Sequence, residues 1–129
     1  MPAAHMLEYA VVRVVPRPER EEFVNSGVIL FCRTRRFLEC RIALDEARLL
    51  ALAPDVDLGA VRGHLDLIPL ICAGGPEAGE IGALAQPERF RWLASPRSTV
   101  VQVSSVHAGL CGDPQAALED LFARLVAQQ

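Results

Sequence analysis

The chain has 129 residues, 51% of them hydrophobic, and a formal net charge of −3. That length suits one compact domain that can bury a core without disulfides or metal. That charge excludes a strongly basic nucleic-acid binder and an acid-rich disordered tail. No apolar run approaches the roughly 18 residues that would cross a bilayer. Met1 to Tyr9 lack the basic start and apolar middle of a secretory signal, so a cytoplasmic location is expected.

In chain order, Glu8 to Val15 are rich in β-branched residues and stop at Pro16, which predicts a first strand. Pro16-Arg17-Pro18 breaks the chain, and Glu19 to Glu22 form a charged connector or helical turn. A second strand is expected over 24–32 and a third over 37–43, with Arg33-Thr34-Arg35-Arg36 as the hairpin turn between them. If Cys32 faces Phe37, one face of the hairpin carries Ile29, Phe31, Leu38, Cys40 and Ile42. The other then carries Val28, Leu30, Glu39 and Arg41. The first set is wholly apolar and is the expected core face. A one-residue slip would mix the two sets.

Asp45 is the expected N-cap of a short helix through Leu52, which Pro54 stops. Asp55 or Asp57 caps the next, where Val61, Leu65 and Ile68 recur at helical spacing and Pro69 ends or kinks the run. Residues 76–87 are expected to form a mobile loop or loose helix, and Pro87 to Leu93 a short helix that buries Trp92. A further strand is predicted over 99–106. Asp113-Pro114 then opens an amphipathic helix whose stripe is Leu118, Leu121, Phe122 and Leu125. Strands grouped early, helices in the middle, and a late strand and helix give an α+β class with an antiparallel sheet. One domain spanning 1–129 is expected.

Two segments carry a family resemblance. The first is Tyr9-x-x-x-Arg13-x-x-Pro16 followed by Glu22-Phe23-Val24-Asn25-x-Gly27-Val28-x-Leu30. The second is Phe90-x-Trp92-Leu93-x-x-Pro96-Arg97-Ser98 followed by Gln102, His107 and Asp113-Pro114. Together they resemble an uncharacterised bacterial family classed as a domain of unknown function, in the same order and over nearly the whole chain. The resemblance implies a bacterial protein and transfers no activity, cofactor or catalytic residue. It also implies another bacterial protein as partner, a kinase-like neighbour among the candidates.

The polar residues suggest chemistry without defining a reaction. Arg97, Ser98, Thr99, Gln102, Ser104, Ser105 and His107 lie close together in sequence. Arg supplies a planar fork for carboxylate or phosphate, hydroxyls donate beside it, and His107 offers an imidazole as proton donor. The competing explanation is a polar edge strand flanked by hydrogen-bonded turns. Arg13 sits among valines and must reach solvent along its stem or pair with an acid, with Glu8, Glu22 or Glu39 as candidates. Asn25-Ser26-Gly27 is a turn signal entering a strand.

Arg33, Arg35, Arg36 and Arg41 make the hairpin basic, which protects a sheet edge and, without aromatic platforms, does not make nucleic acid a partner. His64 lies near an apolar stripe and is expected to be a partly buried structural histidine. Cys32 and Cys40 lie in apolar runs as small hydrophobes. Cys111, beside Gly112, is the thiol most exposed to reaction if it sits in a loop. No metal-ligand spacing, nucleophile motif or Gly-rich strand-to-helix loop is present, so no metal or cofactor is expected.

Two functions are compatible with these residues. The preferred one is a non-catalytic interaction or adaptor module, with homo-oligomerisation open. The alternative is a small enzyme or sensor that holds an anionic group through Arg13, Asn25, Arg97, Ser98, Gln102 and His107.

Overall fold

The computed structural model describes residues 4–128. Its centre is an antiparallel sheet of strands β1 (His5–Val14), β2 (Val24–Cys32), β3 (Phe37–Ile42), β4 (Val101–Val103) and β5 (His107–Cys111). The order is β3-β2-β1, and β4 and β5 lie end to end along the free side of β1. Helices α1 (Glu46–Leu52), α2 (Leu58–Ala73) and α3 (Gln86–Leu93) join β3 to β4. Helix α4 (Pro114–Phe122) ends the chain and runs into a π-helical turn, Ala123–Ala127. This is the expected α+β architecture.

The hairpin forms in the expected register: Cys32 opposite Phe37, Leu30 opposite Glu39, Ile29 opposite Cys40 and Gly27 opposite Ile42. Ile29, Phe31 and Leu38 are buried, and with Cys40 and Ile42 they face Leu49, Val61, Leu65, Ile68 and Phe90 of the helices. The opposite face is buried as well. Val28, Leu30 and Cys32 pack under Leu118, Leu121 and Val126 at the end of the chain. β2 is therefore sandwiched between two helical layers, and its run of apolar residues on both faces is the signature of such a strand.

A β-bulge lies between the pairs Val12–Gly27 and Arg13–Asn25, where Ser26 is the extra residue on β2. The bulge keeps Val24 in the core with Val12 and Val14 and turns Asn25 to the α4 side, where its Nδ2 donates to the Leu125 carbonyl at 3.1 Å. Ser26 is fully buried. Its hydroxyl donates to the Val24 carbonyl, and its own carbonyl accepts from Ala43 N–H. Asn25-Ser26-Gly27 thus belongs to the interior of β2, and neither Asn25 nor Gly27 takes a left-handed backbone angle. Glycine is needed at 27 for space. A Cβ there would stand 2.6 Å from Ile42 Cδ1 and 2.8 Å from the Arg41 carbonyl.

The helix starts follow the expected caps. Asp45, Asp57 and Asp113 accept from the backbone N–H of Arg48, Ala60 and Gln115. Pro69, by contrast, does not end α2, which continues to Ala73. Burial of Ile68, Ile71 and Cys72 outweighs the roughly 3 kcal/mol that an interior proline costs. The helix ends where Arg89 of α3 donates from Nη1 to the carbonyls of Ile71 and Cys72, both at 2.8 Å, and from Nε to that of Leu84 at 3.1 Å. One side chain satisfies the end of α2 and pins the segment that follows. Within that segment, residues 76–78 and 81–83 form two short 3₁₀ turns, tied by a bond from Gly75 N–H to the Gly82 carbonyl.

The strand expected over 99–106 divides in two. Ser104 is buried. Its hydroxyl accepts from Val11 N–H at 2.9 Å and donates to the Ser105 carbonyl, so a side chain takes over a backbone position in the ladder. Pairing with β1 resumes at His107 opposite Tyr9 and continues to Cys111 opposite His5. Cys111 consequently lies in a strand rather than a loop. None of the helices among the described residues is long and apolar enough to cross a membrane.

Candidate functional site

The apolar stripe of α2 must be covered by the sheet, but the sheet ends in a short edge strand there. β4 has three residues, and α2 and α3 overhang it. Between them lies a groove of about 280 Å³. Its floor is aliphatic, from Ile29, Ile68, Ile71, Leu93, Val101 and Val103. Leu67 and Trp92 stand at its mouth, 48% and 36% exposed. Trp92 was expected to be buried; Phe90 and Leu93 take the core positions of α3, and the indole faces the groove instead.

Arg97 lies across Trp92, its guanidinium carbon 3.9 Å from the ring centroid, and one of its nitrogens donates to the Trp92 carbonyl. Partial burial lowers the pKa of Arg97 from its ordinary value, but a guanidinium remains charged at neutral pH. The other ionisable residue of the lining is His64. It is exposed at the groove rather than partly buried as expected, because Val61, Leu65 and Ile68 form the stripe and His64 falls beside it. Thr99 and Gln102 complete the polar edge. Pockets for drug-sized ligands run from roughly 300 to 1,000 Å³. This groove is at the small end and would take one or two side chains.

The six residues singled out in the sequence divide between the two sides of the sheet. Arg97 lines the groove, and Ser98 is exposed in the loop beside it. Asn25, Arg13 and Gln102 form one cross-strand row on β2, β1 and β4, on the side where Asn25 meets Leu125. Gln102, at the sheet edge, both neighbours Arg13 and lines the groove. His107 stacks on Tyr9 with ring centroids 5.2 Å apart. It sits four residues along β1 from Arg13, about 13 Å at the rise of a strand.

Arg13 pairs with none of the acids expected of it. Glu22 is taken by Arg20, Glu8 lies opposite Phe31 on the other face, and Glu39 is on β3, two strands away. The guanidinium rests instead over the Phe23 ring, 4.3 Å from its centroid.

The basic hairpin is tethered rather than free. Arg41 pairs with Glu119 and lies over Phe122, Arg35 donates to the Gly112 carbonyl, and Arg36 accepts from Gln86 through its carbonyl. All four cysteines are reduced. Burial and the neighbouring Cys32 push the Cys111 thiol up from its ordinary pKa, which disfavours the reactive thiolate. Hydrogen bonding with Cys40 and burial likewise raise Cys72. Among the described residues, no three His, Cys, Asp or Glu side chains gather as a metal site would require.

Fold and site together define a small α+β domain with a sheet between two helical layers and an apolar groove beside its short edge strand. The chain belongs to the family described as "Protein of unknown function (DUF3037)", whose sequence model matches residues 9–126. This is the kind of family that the two sequence segments resemble. Comparison with curated proteins and with solved structures found no match.

Proposed function

We propose that this domain is a non-catalytic interaction module of a bacterial cytoplasmic system. In this reading the groove between α2, α3 and β4 receives a short segment of a partner protein. The segment places one or two apolar side chains on the aliphatic floor and a carboxylate against Arg97. The observation that carries the proposal is the lining. The floor is aliphatic, Leu67 and Trp92 are left open to water, and the ionisable groups are one arginine and one histidine, with no acid among them. Large apolar side chains at a concave mouth, with a charge of one sign at the rim, suit an anchor side chain followed by an acidic residue. A kinase-like bacterial protein, which the family resemblance implies as a candidate, is one partner to try. The alternative of an anion-binding enzyme or sensor needs the Arg, Ser and His groups together. They are divided between the two sides of the sheet.

Trp92 is the only tryptophan, so its fluorescence reports directly on the groove. Random peptides selected on the wild-type protein should be enriched in a bulky apolar residue next to Asp or Glu. Their binding should change Trp92 emission and fall at least tenfold in Leu67→Arg. An absence of enriched peptides, or equal binding to Leu67→Arg, would overturn the proposal.

A further inference from the structure

On the other side of the sheet, we infer that Arg13, with Phe23 over it and Gln102 beside it, forms a binding site for a carboxylate group. The inference does not depend on the groove. Five arginines (17, 20, 41, 62 and 124) pair with acids, and Arg89 spends its donors on three carbonyls. Arg13 differs from all of these. It projects from the end of β1, between Val12 and Val14, its Nε is buried, and among the described residues that nitrogen has no hydrogen-bond partner. A buried donor left without an acceptor is costly and calls for an explanation.

The contact with Phe23 does not satisfy it. A ring 4.3 Å from the guanidinium carbon uses the face of the cation, whereas hydrogen bonds leave along its edge. The face is thus covered, and the buried Nε edge still lacks an in-plane acceptor. A carboxylate accepts side-on from Nε–H and one Nη–H, and its single charge matches a single cation. The flanking amides are already oriented: Asn25 donates to Leu125, and Gln102 donates from Nε2 to the Thr99 carbonyl. α4 packs on β2 and β3, so a ligand reaches the row from the β4 side, past Gln102. Phe23, 43% exposed and just ahead of β2, is the ring over the guanidinium.

The carboxylate has two possible sources, a free small molecule or an acidic side chain of another protein. Arginine-labelled full-length protein would be followed by NMR at the Arg13 Nε–H, assigned with Arg13→Lys. The probes are acetate, the blocked peptide acetyl-Ala-Glu-Ala-amide and inorganic phosphate, each against chloride at matched ionic strength.

A saturable shift with acetate, absent in chloride, supports a site for free carboxylates. Saturation with the peptide and not with acetate supports the site and assigns it to a protein-borne acid. No saturation with either, or tighter binding of phosphate than of both, overturns the inference. Should Arg13→Lys fail to fold, Phe23→Ala provides the control: the shift should weaken several-fold while Trp92 emission stays unchanged.

Discussion

The sheet divides into a covered half and an open half. β2 is buried along almost its whole length, and β3 lies under α2 on one face and α4 on the other. The outer side of β1 carries two short strands in place of one long one. β5 has no fully buried residue, and Met6 and Leu110, directly paired, are 67% and 71% exposed. Every residue that the sequence marked for binding lies in the open half or on its border, apart from Asn25 at the bulge. The covered half supplies rigidity, and the open half offers side chains that the core does not use.

Four substitutions would break or sharpen this contrast, each read by urea unfolding with Trp92 emission and circular dichroism. The largest effect belongs to Leu118→Ala, which empties a 1% exposed site under α4; a loss of about 3 kcal/mol is expected. Gly27→Ala forces a methyl group against Ile42 and the Arg41 carbonyl and should cost about 2 kcal/mol through overpacking. Arg89→Met leaves the carbonyls of Ile71, Cys72 and Leu84 without their donor, with an expected loss of about 1–2 kcal/mol. Leu110→Ser should stay within about 0.5 kcal/mol of wild type. If it costs as much as Leu118→Ala, the open half is covered in solution and the contrast fails.

Much of the covered half was legible because it obeys short-range rules. Alternation of side chains set the β2–β3 register, and Asp45, Asp57 and Asp113-Pro114 marked their helices. What escaped depends on contacts distant in sequence. The apolar residues on the second face of β2 could be recognised as core only once α4, some 90 positions later, was known to cover them. Pro69 reads locally as a stop, but the burial that carries α2 past it comes from the sheet.

Ser104 divides a strand by bonding to Val11, 93 residues away. The groove itself left little trace, because Leu67 and Trp92 look like ordinary core residues until the brevity of β4 leaves them uncovered. Arg13 stands out in the sequence as a charge among apolar strand residues, but the acid expected beside it is elsewhere.

The bulge at Ser26 bears on how this chain can change in length. A strand buried on both faces normally tolerates neither insertion nor deletion, since losing one residue reverses every side chain beyond it. β2 contains one exception. Because Ser26 is the extra residue opposite β1, removing it would leave Val24 facing the helices and Asn25 facing Leu125, with loss of the bonds to Val24 and Ala43. Removing Val28 instead would turn one end of the strand inside out. Relatives one residue shorter in β2 should have lost it at this position.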